Sequence, residues 1–339
     1  MLYPEQDVNK ACEFLIKNSV SLNSVNLLVT GATGFVGSWL LNVTNKLQLD
    51  YGQTFKVFGV SRNLNFARER LGEDIFKHVQ WVNGAIQDVD LSDIDFSHVI
   101  HAATPTTLET GAGDLEGVKN SSVGGLKNIL NACALKKAKT RILHTSSGTV
   151  YQGAIDEFGR SNLHFDVANN RNPNNLKHIG YLEAKLETEA LLANATKRSL
   201  VSGVNVRLFA FFGPGLPIDS HYAIGNFMRD AIRGREIQIS GTGQATRSYL
   251  AGYKMAANIL YALTSQEEKN FHIGSTEGEK LYEWAERVGS LFGKKVLIKN
   301  EFEDKNDYYV AGFDPKLPKF GEDEINCELL KWKKYLIDN

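Results

Sequence analysis

The chain predicts an α/β fold, a doubly wound parallel sheet followed by a smaller C-terminal lobe, on three observations. Short apolar runs alternate with helix-like segments as far as residue 210. Those runs are β-branched and nearly unbroken, as strands buried on both faces should be. Beyond residue 210 the alternation loosens, and Pro and Gly enter at Gly213-Pro214-Gly215-Leu216-Pro217. Strand–helix alternation points to one parallel sheet wrapped by helices, and the later change of texture points to a second unit.

The elements follow in order. Val8, Ala11, Phe14 and Leu15 recur at helical spacing, so residues 5–18 form an extra amphipathic helix ahead of the sheet. Strands are expected at 25–30, 55–60, 79–82, 98–103, 141–145 and 204–209, with helices between them, notably 118–136 and 180–197. Residues 1–210 would make the first unit. Residues 211–339 would make the smaller lobe, with helices at about 222–233, 253–265 and 279–292, capping the carboxyl edge of the sheet.

Composition narrows the function classes. The net charge is -1 and no half of the chain is strongly basic, which argues against a nucleic-acid partner. Cys12, Cys133 and Cys327 are scattered and form no CxxC pair, which suits a reducing, cytoplasmic setting. The first ten residues are polar and acidic, unlike a signal peptide, and no apolar run is long enough to span a bilayer. The eight histidines include no HxxxH pair, and His98 and His101 lie around a strand, so no metal site is expected.

Residues 25–37 read VNLLVTGATGFVG. A buried strand runs into Gly31, Gly34 and Gly37, with Phe35 and Val36 between the last two, and the helix-like SWLLNVTNKL follows. Glycines serve where the chain turns tightly, where backbone must approach a pyrophosphate, and where helix packs on strand. The free N–H groups of the helix N-terminus then face the phosphates. A glycine-rich turn that binds nothing is the plain alternative. The strand before it and the helix after it favour a Rossmann-type dinucleotide site.

The second strand, FKVFGV, ends at Ser61-Arg62-Asn63, with no carboxylate where an NAD enzyme places one for the ribose hydroxyls. Arg62 could pair with a 2′-phosphate through its planar fork, or be an ordinary solvated arginine. The cofactor is read as NAD(P), with NADP modestly favoured over NAD.

Tyr181-Leu-Glu-Ala-Lys185 matches YxxxK. With 12 tyrosines and 25 lysines, such a pair arises by chance about once in 339 residues, so placement must carry the argument. It opens the helix after the fifth strand, and i,i+4 spacing puts both side chains on one face. A nearby ammonium favours a phenolate and would lower the tyrosine pKa. The preceding strand ends in His144-Thr-Ser-Ser-Gly-Thr-Val-Tyr151, where Ser147 offers a hydroxyl or simply a strand-end turn.

The GxxGxxG spacing, the serine and the YxxxK pair, in this order, resemble the extended short-chain dehydrogenase/reductases, the NAD-dependent epimerase/dehydratase family that includes nucleotide-sugar 4-epimerases. The resemblance implies a catalytic triad of Ser147, Tyr181 and Lys185. It implies a cofactor site of Gly31, Gly34, Phe35, Val36, Gly37, Ser61, Arg62, Ala85, Ile86, Ala102, Ala103, Thr104, Tyr181, Lys185 and Phe209. Substrate would meet Ser147, Ala210 and Arg247, the last in a segment, Gly241–Leu250, that resembles the family's diphosphate-binding arginine segment.

The chain departs from the family pattern at Ala85, Ser121, Ala210 and Lys254, where Asp, Asn, Asn and Asp are usual. The resemblance implies a nucleotide-sugar epimerase or keto-reductase acting at a sugar carbon, most simply C4. A 4,6-dehydratase or decarboxylase is the alternative, and a non-catalytic dinucleotide-sensing module a second. Dehydratases place an Asp–Glu pair directly after the triad hydroxyl, and decarboxylases keep the Glu. Here those positions are Gly148 and Thr149. Asp156 and Glu157 are the nearest downstream carboxylates. A homodimer through the helices at 118–136 and 180–197 is also implied, with Leu126, Ile129, Leu130, Leu186, Leu191 and Leu192 as candidate contacts.

Overall fold

The structure, a computed structural model, describes residues 3–105, 115–151, 179–266, 270–301, 308–321 and 324–339. The chain opens with α1 (Glu5–Lys17). Then come β1 (Asn26–Thr30), α2 (Phe35–Leu49), β2 (Lys56–Ser61), α3 (Leu64–Leu71), α4 (Glu73–His78), β3 (Gln80–Asn83) and β4 (His98–His101). The helix expected over 118–136 is broken in three: α5 (Leu115–Lys119), a π turn (Asn120–Gly124) and α6 (Gly125–Ala134). β5 (Thr140–Ser147) and a 3₁₀ turn (Gly148–Tyr151) precede α7 (Ile179–Lys197) and β6 (Val201–Leu208).

The later chain holds β7 (Ala210–Phe212), α8 (Ala223–Ile232), β8 (Ile237–Ile239), β9 (Thr246–Arg247), β10 (Tyr249–Ala251) and α9 (Gly252–Thr264). It continues with β11 (Phe271–Ile273), β12 (Glu279–Lys280), α10 (Leu281–Phe292), β13 (Val296–Ile298), β14 (Tyr308–Tyr309) and α11 (Ile325–Asp338).

Seven parallel strands form the main sheet in the order β11-β6-β5-β4-β1-β2-β3. Alternate residues of one strand serve opposite faces. Leu27 and Val29 of β1 join the core beneath α1, α2 and α9, while Leu28 joins the core beneath α6. The α1 face works as its spacing predicts, since Val8, Ala11, Phe14 and Leu15 are all buried. α9 and β11 lie beyond residue 211 yet return to the main sheet, so the later chain both completes the sheet and builds the lobe. The lobe's own strands pair as β12-β9-β14, β10-β7 and β13-β8.

Strand order reverses between β1 and β4, and in an open α/β sheet that reversal leaves a crevice at the carboxyl ends. Thr30 and His101 face each other there. The His101 Nε2–H donates to the Ser122 carbonyl at 2.8 Å, so Nδ1 accepts from the Thr30 hydroxyl at 2.9 Å. Burial holds this ring neutral, pushing its pKa down to about 4. The Thr30 oxygen in turn accepts the Ala102 N–H at 3.1 Å, fixing where the chain leaves β4.

Candidate active site

The glycine turn needs its glycines. Gly31 has φ +66°, and a Cβ there would lie 2.5 Å from the Ala102 carbonyl oxygen. A Cβ on Gly37 would lie 2.3 Å from the Gly31 oxygen. Gly34 differs: it is exposed, and an added Cβ would meet only Gly31 O at 3.3 Å. Gly34 caps α2 without a side-chain hydrogen bond, so the first-turn N–H groups of Phe35, Val36 and Gly37 have no intrahelical acceptor. An uncapped helix start behind an open glycine fits a dinucleotide pyrophosphate.

Other sequence-derived cofactor positions line the same sheet edge. Ala102, Ala103 and Thr104 follow β4, and Ser61 ends β2. Ser61 is buried and its hydroxyl donates to the Asn63 carbonyl, while Arg62 is exposed. Ile86 turns its side chain into the core, where it packs on Gly125. Only its neighbour Ala85 is half-exposed.

Ser147, Tyr181 and Lys185 come together where β5 ends and α7 begins. Lys185 is 2% exposed. Its ammonium donates to Thr145 O at 2.6 Å and to the Thr104 hydroxyl at 3.0 Å. An ammonium has three donors, and two of them are satisfied by these acceptors. Burial pulls its pKa from 10.5 to about 7, against the pull of Glu189 one turn on. Tyr181 is half-buried, with the ammonium 5.5 Å from its ring centroid.

The direction at Tyr181 is the reverse of the one suggested by a Tyr–Lys pair. Burial raises the phenol above its ordinary 10.0, the neighbouring Tyr309 adds to the rise, and a hydrogen bond with Ser147 opposes it. The lysine charge is spent on Thr145 and Thr104 and sits over the ring rather than at the hydroxyl, so desolvation decides.

Several neighbours carry no local sequence signal. The Ser147 hydroxyl donates to Thr149 Oγ1 at 2.9 Å and accepts the Thr149 N–H at 3.1 Å. Tyr309, on a two-residue strand of the lobe, brings its hydroxyl to 3.4 Å from Ser147 Oγ. Phe209 lies over Gly148, where an added Cβ would be 2.7 Å from the ring. Behind them, Arg207 makes a two-pronged ion pair with Glu189 at 2.9 and 2.7 Å and also donates to the Tyr151 hydroxyl. Tyr151 donates to His272 Nε2, a ring that burial keeps neutral with a pKa of about 3.

Ala210 is half-buried and pairs with Tyr249, and Arg247 is half-buried on β9 opposite Tyr309. The Lys254 departure has a packing reason. Its ammonium meets Glu328 at 2.9 Å, and Tyr253 donates to the same carboxylate, tying α9 to α11. Ser121 lies in the π turn and donates to the Gly117 carbonyl. Asp156 and Glu157 lie outside the described residues. Among the described residues no helix is long and apolar enough to cross a membrane, and no group of three His, Cys, Asp or Glu side chains is placed to hold a metal.

The profile of the NAD dependent epimerase/dehydratase family matches residues 27–274. The chain belongs to that family. It is an enzyme of the extended short-chain dehydrogenase/reductase type. UDP-glucuronic acid decarboxylase 1 of Xenopus tropicalis is 24% identical over 324 residues, covering 91% of this chain and 72% of that protein. A trifunctional Arabidopsis thaliana protein, a UDP-glucose 4,6-dehydratase, 3,5-epimerase and reductase, is 25% identical over 92% of this chain. This chain spans only 46% of that protein's length.

Solved structures agree in fold. A UDP-N-acetylglucosamine 4-epimerase from Methanobrevibacter ruminantium superposes with TM-score 0.76 at 20% identity, over 93% of this chain and 99% of that one. The UDP-glucuronic acid 4-epimerase of Bacillus cereus, solved with UDP-glucuronic acid and NAD, gives 0.74 at 19% identity, over 92% and 99%.

The buried lysine makes stability depend on pH. Its folded pKa of about 7 lies below the ordinary 10.5, so between these values the unfolded chain holds a proton that the folded chain lacks. Stability therefore rises with pH across that window, by up to about 1.4 kcal/mol per unit. Below about pH 7 the penalty is complete and constant. Tyr181 contributes the opposite slope only above about pH 10, where an ordinary phenol ionises. In chemical denaturation from pH 5 to 9.5, wild type should gain on Lys185→Met only above pH 7. Parallel curves across the range would refute the assignment.

Proposed function

We propose that this enzyme oxidises or reduces a carbon of a nucleotide sugar, most simply C4, as an epimerase or keto-reductase. The observation that carries this reading is the meeting of Ser147, Tyr181 and Lys185 at the carboxyl edge of the sheet, beside the open glycine turn. Residues 1–210 would hold the dinucleotide and residues 211–339 the substrate, except that α9 and β11 rejoin the sheet.

Bound NAD(P) supplies the hydride acceptor or donor. Gly31, Gly34 and the first turn of α2 hold its pyrophosphate, and Ala102, Ala103 and Thr104 form the wall beside it. Lys185 binds a ribose hydroxyl with its remaining donor. Ser147 turns its hydroxyl toward the reacting sugar oxygen, and Tyr181 exchanges the proton of that oxygen. A neutral phenol is the form that protonates a carbonyl, and the raised pKa of Tyr181 favours it. Arg247 grips the diphosphate, for which a guanidinium matches in shape and charge.

The relatives include dehydratases and decarboxylases, so the reaction class rests on this chain's own residues. Phe209 fills the space above Gly148, and Thr149 is no carboxylate. Neither position offers an acid or base tuned to move a proton near pH 7.

Three outcomes are expected. Incubated with a panel of UDP-, dTDP- and GDP-hexoses, the protein should invert or reduce a sugar carbon without losing 18 mass units, and Tyr181→Phe should lower turnover by about 10²–10⁴-fold. A 4-keto-6-deoxy product, or a Tyr181→Phe variant with most of its activity, would reject this reading. For the cofactor, the open end of β2 favours NADP through Arg62, although the Bacillus cereus relative was solved with NAD. Arg62→Ala should weaken NADP by roughly ten- to a hundredfold and NAD far less; tighter NAD than NADP binding by wild type would exclude this. For assembly, a homodimer through α6 and α7 would have to use polar outer faces. Leu126, Ile129, Leu130 and Leu192 face inward, Leu186 and Leu191 are only partly exposed, and Lys127, Asn131, Glu187 and Asn194 point out. Sedimentation at micromolar concentration should give twice the 37.7 kDa chain mass, and a monomer would end the proposal.

A further inference from the structure

We propose that Tyr309 is a positioning residue that couples the grip on the substrate's diphosphate to the hydroxyl at the reacting carbon. The inference rests on the nucleotide-sugar reading above and assigns a role to a side chain of the C-terminal lobe.

Tyr309 touches both ends of that link. Its hydroxyl lies 3.4 Å from Ser147 Oγ and 3.3 Å from the Leu208 carbonyl oxygen, so its one proton can be given to either acceptor. Its ring packs on Phe209, with centroids 5.2 Å apart. The Ser147 oxygen therefore meets the Thr149 hydroxyl, the Thr149 N–H and the phenols of Tyr309 and Tyr181. In this arrangement the serine proton points to Thr149. To serve a sugar oxygen it must swing away, and the Thr149 N–H together with the Tyr309 proton, turned from Leu208 to Ser147, holds the oxygen in place while it does.

At its backbone Tyr309 belongs to the other half of the site. β14 pairs with β9, and Tyr309 stands opposite Arg247. The Tyr309 carbonyl also accepts the Ser248 N–H at 3.3 Å. Arg247 is near enough for its charge to act on the Tyr309 phenol. β9 is the middle strand of β12-β9-β14, so an anion that draws on Arg247 acts on a paired segment that carries Tyr309 with it. Binding energy from the nonreacting diphosphate is thereby spent on orienting Ser147, and energy used in that way appears in kcat rather than in KM.

Tyr309→Phe keeps the ring on Phe209 and removes the hydroxyl. With a UDP-sugar that wild type turns over, kcat should fall about tenfold, the size of one lost hydrogen bond. KM should stay within about twofold, and dinucleotide affinity and thermal midpoint should be unchanged. Wild type should show a higher kcat with the UDP-sugar than with the matching sugar 1-phosphate, and the variant should lose most of that difference. A variant with wild-type kcat, or one whose loss lies entirely in KM, overturns the role of Tyr309 and leaves the functional reading standing. A wild-type protein that binds dinucleotide yet turns over no nucleotide sugar overturns the reading and this inference together.

Discussion

Lys185 places an ammonium group almost wholly out of water, and holding it there requires several elements to stay in register. Thr145 O comes from β5, the Thr104 hydroxyl from the segment after β4, and the lysine itself from α7. Removing a charge from water is costly unless donors find acceptors. β4 is fixed in turn by the Thr30–His101–Ser122 chain of hydrogen bonds, and the same threonine oxygen receives the Ala102 N–H beneath the glycine turn. The cofactor cradle and the lysine thus share one support. A shift of β4 would disturb the pyrophosphate end and the ribose end together.

Behind the lysine, α7 is tied to β6 by Glu189 and Arg207, with side chains that are 10% and 7% exposed. A buried pair of this kind holds geometry better than it adds stability, because desolvation offsets much of the attraction. The rest of the guanidinium is used as well, since Arg207 donates to Tyr151, which donates to neutral His272 on β11. α7 is therefore referenced to β5, β6 and β11 at once. Lys185 and Glu189 lie one turn apart, so the angle at which α7 meets the sheet sets the direction of the ammonium.

The parts of the fold that were legible in the sequence are those in which one local pattern has one structural answer. VNLLVT followed by three spaced glycines could be read because strand, turn and helix start are consecutive. Five of the first six sheet strands could be read because burial on both faces leaves little choice of residue, and the edge strand β3 through its Trp81 and Val82. β11 was missed, since FHI is three residues long and owes its place to β6. α11 was missed as well. The leucines offered as dimer contacts show the limit of periodicity: it marks an apolar stripe, but the sheet claims Leu126, Ile129, Leu130 and Leu192. The Tyr–Lys pair was legible, but its electrostatics were not, because spacing says nothing about desolvation. Tyr309 was illegible for a different reason, as it stands 162 residues from Ser147 and reaches it through a two-residue strand.

That distant tyrosine and Phe209 bear on what the site can do. A pocket for dehydration needs room for carboxylates beside the triad hydroxyl. Here the ring of Phe209 covers Gly148, and the hydroxyl of Tyr309 closes on Ser147 beside Thr149. Replacing Gly148 by Asp would drive its Cβ to 2.7 Å from that ring, so the carboxylate could not be restored without moving Phe209. Phe209 is itself wedged between Tyr309, His272 and the backbone at Gly274. The absence of an acid at 148 is therefore built into the packing of the lobe against the sheet, and reversing it would take several coordinated changes. Among the described residues, the groups around Ser147 are hydroxyls and one amine, able to hold and exchange a single proton at an oxygen. Such a set suits the oxidation or reduction of one carbinol carbon, and among the described residues it includes no second acid–base pair of the kind that carbon–oxygen cleavage at C6 demands.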